Sequence, residues 1–315
     1  MAAVTAELDV YRNQTVCTDP GRRGDWIGTA PRDLPSLRRL ATGLVFHYRA
    51  NGDPVDHGFS EDRLHEIDLR YADDQFARLH DLAPDEPLTA DRAPTQRILG
   101  CCRDFTLLLV SLLRSQGVPA RARVGFGGYF VDGWWMDHVV AEVWDTDAEQ
   151  WRLVEAQLPD DFPCVGGSFD MLDVPRDRFL TGDAAWRAAR SGELDPATFV
   201  VAVDLQVPTL RSWPYLAHNL VLDLAALTGW EAVLWDVWGL LEAPEQAPRD
   251  AELMAVLDRI ASMVGDGAPL SELRELARDP RLAVPATITS FWPIDCTPRT
   301  VTLRPHERSS DTHVE

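Results

Sequence analysis

The sequence predicts an α+β fold in which a cysteine-bearing helix packs on an antiparallel sheet and a helical C-terminal extension follows. Three observations support this prediction. A cysteine pair opens a long amphipathic stretch within the segment from Arg97 to Val118. Two segments that alternate between apolar and polar residues come next, joined by a short polar connection typical of a β-hairpin. From about residue 180 to residue 280, apolar residues recur instead at the spacing of amphipathic helices.

The amphipathic stretch is expected to form a helix that begins at or near Cys102. Gly117 and Pro119 supply the signals for its end, and the residues of its buried face recur three and four positions apart: Phe105, Leu108, Leu109, Leu112 and Leu113. At a helix N-terminus, unpaired backbone N–H groups and the positive end of the helix dipole stabilise a thiolate. Cys102 is therefore a candidate nucleophile, and Asp104 in the first turn is expected to cap the helix.

The two alternating segments hold a candidate base and a candidate partner for it. Trp134 to Trp144 has the pattern of a half-buried strand, and Trp151 to Leu158 is expected to form the second strand. In a hairpin with an even number of loop residues, residues whose numbers sum to an odd total share a face. His138 and Glu155 meet this condition, so we expect them opposite or diagonal to each other and within side-chain reach.

These residues resemble the transglutaminase-like, papain-fold core of bacterial proteins. The resemblance rests on residues in the same order and with similar spacing: Gly100 to Phe105, Gly117 to Arg121, Asp137 with His138, and Trp151 to Gln157. It implies a papain-like or transglutaminase-like core for the predicted α+β fold.

The resemblance also implies a catalytic triad. Cys102, rather than Cys101, takes the nucleophile position, His138 the position of the base, and Glu155 the third position. The family usually carries aspartate at the third position, so Glu155 departs from the family pattern. Gln157, which shares the face of His138 by the same parity, is the alternative as a neutral orienting group.

The reaction that we expect is acyl transfer through a thioester on Cys102. The acyl group would come from an amide or ester, on a small molecule or a peptide, and would pass to water or to an amine. The protein would then be a transglutaminase-like acyltransferase or an amidase or protease. The alternative is a catalytically silent papain-fold module that binds a peptide or protein partner.

Further residues are expected to bind the substrate or the developing oxyanion. The candidate substrate-binding residues are Trp134, Trp135, Gln157 and Arg121. For Arg121, ion pairs with the protein's own carboxylates are the favoured interpretation. The Cys102 backbone N–H would bind the oxyanion, and the candidate second donors are Gln96 and the indole N–H of Trp134 or Trp135.

The composition argues against several classes of function. Thirty basic residues against fifty acidic ones give a formal net charge of −20, which disfavours nucleic acid or an anionic membrane as a partner. All the basic residues are arginine, so the chain has no lysine for a Schiff base or a phosphate-binding loop. Five scattered cysteines predict neither a disulfide framework nor a zinc site, and we expect no cofactor.

The chain is expected to divide into four parts. They are an N-terminal helical and irregular part of the core domain (1–95), a transglutaminase-like catalytic core (96–160), a helical C-terminal region (161–290) and a tail (291–315). Outside the core, helices are predicted at Leu34 to His47, Ser60 to Leu82, Ala184 to Ser191, His218 to Leu227, Trp230 to Leu241, Asp250 to Met263 and Leu270 to Ala277. With no long apolar segment and no leader-like N-terminus, we expect a cytoplasmic protein; its oligomeric state is left open.

Overall fold

The computed structural model describes residues 2–243, 245, 247 and 249–305. Its helices are α1 (Ala2–Arg12), α2 (Gly24–Ile27), α3 (Leu34–Leu44), α4 (Ala72–Leu82), α5 (Cys102–Ser115), α6 (Gly182–Ser191), α7 (Ser212–Thr228), α8 (Ala251–Gly265) and α9 (Leu270–Leu276). Its strands are β1 (Val45–His47), β2 (Ile98–Gly100), β3 (Ala120–Gly127), β4 (Trp135–Asp145), β5 (Gln150–Val154), β6 (Phe179–Thr181), β7 (Phe199–Val200), β8 (Asp236–Val237), β9 (Thr287–Phe291) and β10 (Pro298–Thr302). The fold class is α+β, as the sequence predicts.

The central sheet has the strand order β5-β4-β3-β6, and these strands run antiparallel. One edge of β4 lies along β3 for most of its length. The other edge pairs with β5 only over Ala141–Asp145 and with β7 only at Trp135 and Met136. Between these two partners, around Val139, this edge of β4 has no strand partner among the described residues. We call this interval the β4 gap.

Helix α5 begins in the β4 gap. The hydroxyl of Thr106 donates a hydrogen bond to the carbonyl oxygen of Val139 at 2.9 Å, and the backbone N–H of Val139 is hydrogen-bonded to the sulfur of Cys102. The helix starts at Cys102, as predicted, and every residue from Cys102 to Arg114 is buried. The open edge of β4 therefore fixes where the tip of α5 lies.

Asp104 holds the chain at the start of α5. Its Oδ2 accepts the backbone N–H of Cys101 at 2.8 Å, so the predicted capping role is confirmed. Its Oδ1 accepts hydrogen bonds from Gln75 at 2.8 Å and from Arg103 at 3.1 Å. Asp104 thus caps the helix and also pairs with the arginine beside it.

A buried arginine joins the C-terminal helices to the sheet. Arg123 of β3 is only 5% exposed and contacts carboxylates on three other elements. The distances are 2.8 Å to Asp223 of α7, 3.1 Å to Asp183 of α6 and 3.2 Å to Glu142 of β4. Because each of these carboxylates is buried, each needs a compensating positive charge.

Three predicted helices differ from the structure. The segment Leu34 to His47 is helical only to Leu44, because its last three residues form β1, which pairs with β2. Only the second half of Ser60 to Leu82 is α-helical, as α4, after a 3₁₀ segment. The segment Trp230 to Leu241 is not an α-helix. Gly229, with a φ of 106°, ends α7 in a left-handed conformation, and the chain then enters β8.

The division of the chain at residue 160 stays a prediction, but the C-terminal region is not purely helical. Strand β6 joins the central sheet beside β3. Gly125 permits this pairing, because a Cβ atom there would collide with the carbonyl oxygen of Leu180. In the expected tail, β10 pairs with β9, and residues 306–315 lie outside the described residues. No helix in the described ranges is long and apolar enough to cross a membrane.

The Arg123 cluster gives a test of the fold. We expect Arg123→Ala to lower the free energy of unfolding by about 3–5 kcal/mol, because it leaves buried carboxylates without their cation. The matched control is Arg190→Ala, which breaks a half-exposed pair with Asp258 and is expected to cost less than about 1 kcal/mol. Urea unfolding followed by circular dichroism measures both. Equal losses for the two variants would contradict this view of the cluster.

Candidate active site

The three residues predicted to act together meet at the N-terminus of α5. Nε2 of His138 lies 2.8 Å from Oε2 of Glu155, and the same ring is hydrogen-bonded to the thiol of Cys102. Because Nε2 faces the carboxylate, Nδ1 is the ring nitrogen left for the sulfur. All three are buried: Cys102 is 5% exposed, His138 is 2% exposed and Glu155 is 0% exposed. The structure thus brings the three into one series of contacts, while their catalytic roles stay a prediction.

The hairpin explains how a glutamate reaches the imidazole. Ala141 of β4 pairs with Val154 of β5, so the next residue, Glu155, stands diagonal to His138 on the same face. The turn between the strands has four residues, 146–149, which is the even number that the parity argument requires. The longer side chain of glutamate spans the diagonal and makes the contact that the resemblance assigns to aspartate.

Four hydrogen bonds hold the Glu155 carboxylate. Its Oε2 accepts the Tyr129 hydroxyl at 2.7 Å as well as contacting His138, and its Oε1 accepts the backbone N–H groups of Gln157 at 2.9 Å and Leu158 at 3.3 Å. Burial favours the neutral acid, but His138 and these donors hold the pKa of Glu155 below its ordinary value. The residue is therefore a fixed negative charge beside the imidazole.

This charge favours an ion pair between the cysteine and the histidine. Burial opposes the charged ring, yet Glu155 and the hydrogen bond with Cys102 raise the pKa of His138 to about 10. The pKa of Cys102 is lowered to about 6, first by a hydrogen bond from the Cys101 thiol, and then, against burial, by His138 and the backbone N–H of Val139. The two opposite shifts favour a thiolate and an imidazolium over the neutral pair.

Aromatic rings enclose the imidazole and keep its surroundings apolar. Phe130 lies with its ring centroid 5.0 Å from that of His138, Tyr129 at 6.1 Å and Phe179 at 6.2 Å, all at steep interplanar angles. Steep angles direct ring edges and faces against each other, which is the favoured geometry for aromatic pairs. Because these rings exclude water, the interaction between His138 and Glu155 is stronger than at a protein surface.

A second group of polar residues near the cysteine was not predicted. Asp137, one residue before the histidine, accepts the Tyr215 hydroxyl at 2.8 Å and the Asn219 amide at 2.9 Å. Tyr48 is half-buried and lies near Cys102, and its ring stacks on that of His47. The signals in the sequence for this group were Asp137, which lies beside His138 in the family resemblance, and the polar pair His218-Asn219 within an apolar helix.

Arg121 pairs with carboxylates of the protein itself, and a role for it in substrate binding stays a prediction. Its guanidinium is paired with Glu142 at 2.7 Å and with Glu7 at 3.5 Å, and it lies over the ring of Trp151 at 4.1 Å and that of Tyr11 at 4.9 Å. The two carboxylates pair with the positive charge of the guanidinium, and the two aromatic rings cover its planar faces. The favoured interpretation from the sequence, pairing with the protein's own carboxylates, is confirmed.

The two adjacent tryptophans precede the histidine on the chain and are half-buried. The ring of Trp135 stacks on Phe199 of β7, with centroids 6.0 Å apart, and Trp134 lies under the guanidinium of Arg211 at 5.8 Å. Packing therefore accounts for one face of each ring. A role for either residue in binding the substrate or the oxyanion stays a prediction.

Gln157 and Gln96 make local contacts, while substrate binding by Gln157 and oxyanion binding by Gln96 stay predictions. The carboxylate of Glu155 contacts Nε2 of His138, which is the contact that Gln157 would make as a neutral orienting group. Gln157 instead donates its backbone N–H to the Glu155 carboxylate. The side chain of Gln96 accepts the backbone N–H of Ala93 at 3.1 Å. Across the described parts of the chain, no group of three or more histidine, cysteine and acidic side chains is placed to hold a metal ion.

The fold and these contacts define a site of the kind found in cysteine-dependent enzymes. Residues 68–156 match the family model of the transglutaminase-like superfamily, so the chain carries a transglutaminase-like core, as the resemblance predicted. At the family level this match indicates a cysteine-dependent enzyme. No curated protein matches the chain.

One solved structure is similar over part of its length. It is a candidate cysteine protease from Cytophaga hutchinsonii, 12% identical, over 55% of this chain and 44% of that chain, with a TM-score of 0.29. This chain thus covers less than half of that protein, and at this score the likeness carries no weight for function.

The ion pair predicts an unusual pH dependence of alkylation. We expect iodoacetamide to modify Cys102 with a midpoint near pH 6, because the thiolate persists down to its lowered pKa of about 6. Cys164, whose pKa is raised by burial, is an internal reference and should react only at higher pH. Peptide mass spectrometry measures both rates in one sample.

The His138→Ala variant completes this measurement. Removing the ring removes a hydrogen bond and a positive charge from the thiolate, so the midpoint for Cys102 should move to higher pH while that for Cys164 stays unchanged. An identical pH profile for Cys102 in the native chain and the variant would mean that the two residues do not act on each other.

Proposed function

We propose that this protein is a cysteine-dependent acyl-transfer enzyme that works through a thioester on Cys102. The observation that carries the proposal is the buried contact of 2.8 Å between His138 and Glu155, made beside a cysteine at a helix N-terminus. A buried carboxylate is costly unless it stabilises a charge, and here it stabilises the imidazolium that cysteine activation produces. The substrate is proposed to be an amide or ester of a small molecule or a peptide.

In the first half-reaction, the Cys102 thiolate attacks the carbonyl carbon and the C–S bond forms. The His138 imidazolium then gives its proton to the leaving amine or alcohol as the C–N or C–O bond breaks. The ring becomes neutral, and Glu155 keeps its orientation through Nε2. The products of this step are the thioester and the released amine or alcohol.

The oxyanion formed during the attack lies next to the start of α5. The backbone N–H of Cys102 is in the first turn of this helix, where such groups lack intrahelical partners and the helix dipole is positive. A donor of this kind stabilises the tetrahedral intermediate more than the substrate, which is what lowers the barrier.

In the second half-reaction, neutral His138 takes a proton from the incoming nucleophile. Attack on the thioester carbonyl releases the Cys102 sulfur as a thiolate and restores the ion pair. Water as nucleophile gives an acid, and an amine gives a new amide. Both reactions use the same two residues, so the surroundings of the acyl group decide between them.

A covalent intermediate is the direct consequence of this mechanism. With p-nitrophenyl acetate, we expect a burst of about one p-nitrophenol per chain and an acetyl group on the peptide that contains Cys102, seen by mass spectrometry. The burst should be lost in Cys102→Ala and kept in Cys17→Ala, a control that removes another buried cysteine. Acetylation that is equal in Cys102→Ala and the native chain would favour the silent binding module.

The third position has its own test. Glu155→Gln keeps the size of the side chain but removes its charge, so we expect kcat to fall by about 100-fold or more. The sign of the pH effect follows from the pKa of His138: without the carboxylate it drops from about 10, so the alkaline limb of the rate profile moves to lower pH. Glu155→Asp keeps the charge but is one methylene shorter, and should lose rate with a smaller shift of this limb.

The measurement for this series is the pH dependence of p-nitrophenol release by the three proteins. If the alkaline limb of Glu155→Gln coincides with that of the native chain, Glu155 does not set the charge state of His138, and its assigned role is wrong.

A further inference from the structure

Arg38 of α3 is a buried cation that the acyl-transfer mechanism above does not use. It is 2% exposed, although arginine is rarely fully buried without partners. All three of its guanidinium nitrogens contact the segment 155–160. Nε donates to the carbonyl oxygen of Glu155 at 2.6 Å, Nη1 pairs with the carboxylate of Asp160 at 2.6 Å, and Nη2 donates to the carbonyl oxygen of Leu158. The side chain of Arg38 is therefore bound to the segment that carries Glu155.

The position of Glu155 is not fixed by strand pairing alone. Strand β5 ends at Val154, so the glutamate lies in the irregular segment that follows the strand. Its backbone N–H donates to the carbonyl oxygen of Met171 at 2.8 Å, and its own carbonyl oxygen accepts from Arg38. Its side chain accepts two backbone N–H groups of the same segment. Arg38 thus holds the backbone from which the Glu155 carboxylate reaches His138.

A threonine one turn along α3 binds the same segment. The hydroxyl of Thr42 donates to the carbonyl oxygen of Ala156 at 2.8 Å, and residues four apart on a helix lie on the same side. Arg38 and Thr42 together bind the carbonyl oxygens of residues 155, 156 and 158. Because the guanidinium is planar and its donors point in fixed directions, it holds its acceptors at fixed relative positions. A lysine in the same place would have one nitrogen for three acceptors.

We propose that Arg38 is a positioning residue, which places Glu155 so that its carboxylate contacts Nε2 of His138. This role rests on the proposed function and deepens it, since it assigns to the N-terminal part of the chain a residue on which the rate depends. The partners of Arg38 are the groups of segment 155–160, so it acts through Glu155 rather than on the reacting atoms. Thr42 contributes to the same role through its single hydrogen bond to this segment.

The charge of Arg38 and its positioning role have opposite effects on His138. By charge alone, the loss of a buried cation near the site would favour the imidazolium and raise the pKa of His138. Burial disfavours the charged ring, and Glu155 is the strongest influence that favours it. Loss of positioning would move the Glu155 carboxylate away from the ring and lower the pKa of His138. The direction of the shift therefore distinguishes the two effects.

The test compares variants of the full-length protein by two measurements. The first is the pH dependence of p-nitrophenol release from p-nitrophenyl acetate, whose alkaline limb follows the pKa of His138. The second is the pH midpoint for alkylation of Cys102 by iodoacetamide, which needs no turnover. The variants are Arg38→Ala, Arg38→Lys and Thr42→Val. The control is Arg114→Ala, which removes a buried arginine from the other end of α5, about 18 Å from Cys102 along the helix.

In Arg38→Ala we expect kcat to fall by about tenfold or more and the alkaline limb to lie at lower pH. The Cys102 midpoint should move to higher pH, because a ring that is less often charged stabilises the thiolate less. Arg38→Lys should shift both in the same directions, because it keeps the charge but not the planar fork. Thr42→Val removes one hydroxyl, is expected to keep the fold, and should give smaller shifts of the same sign. Arg114→Ala should shift neither.

Free guanidinium ions provide a rescue experiment. Arg38→Ala leaves a space of the size of a guanidinium group, so millimolar guanidinium chloride should restore part of the rate and return the limb toward higher pH. The same ions should not change the limb in the native chain or in Arg114→Ala. Sodium chloride at equal concentration is the control for ionic strength.

An alkaline limb that stays in place or moves to higher pH in Arg38→Ala would overturn the proposal, because Arg38 would then act through its charge or not at all. Equal shifts in Arg114→Ala would also overturn it, because the limb would then follow the stability of the fold. If Arg38→Ala does not fold, Arg38→Lys and Thr42→Val decide in the same way. In each of these cases, acyl-enzyme formation by the native chain leaves the proposed function intact. If the native chain forms no acyl-enzyme, the proposed function fails, while the Cys102 midpoints still decide whether Arg38 positions Glu155.

Discussion

The rest of the site depends on the β4 gap, the interval in which one edge of β4 has no strand partner. An unpaired strand edge exposes backbone groups that must find hydrogen bonds elsewhere. Here the tip of α5 supplies them, because Val139 accepts from Thr106 and its N–H points to the sulfur of Cys102. If β5 extended further along β4, it would occupy the place of the helix, and the cysteine would not reach His138. The length of the short strand β5 and the position of Cys102 therefore depend on each other.

The second physical feature is a fixed negative charge within an apolar enclosure. Glu155 has no exposed surface, and its four hydrogen bonds leave it no freedom to turn away from His138. Rings of Tyr129, Phe130 and Phe179 surround the imidazole. In such a medium one carboxylate has a large effect on the charge of its neighbour, and this effect passes through the ring to the Cys102 sulfur.

Local patterns in the sequence were sufficient for the centre of the fold. The helix from Cys102 and the shared face of His138 and Glu155 follow from periodicity and from the length of one turn, so both could be predicted. The contacts from α7 could not: Tyr215 and Asn219 are 78 and 82 residues away from Asp137 along the chain, and no periodicity relates such distant residues. The helix predicted after Gly229 failed for a related reason, since apolar residues are buried there on an irregular segment.

The charge state of His138 is the most direct test of the central claim, which is that the cysteine and histidine form an ion pair held by Glu155. Nitrogen NMR of the chain labelled at histidine reports the protonation of each ring nitrogen, and a His138→Gln variant assigns the signals. At about pH 8, well above the ordinary histidine pKa, we predict that both nitrogens of His138 carry protons and that the ring loses one only near pH 10. A ring that is already neutral at about pH 8 in the free protein would contradict the account.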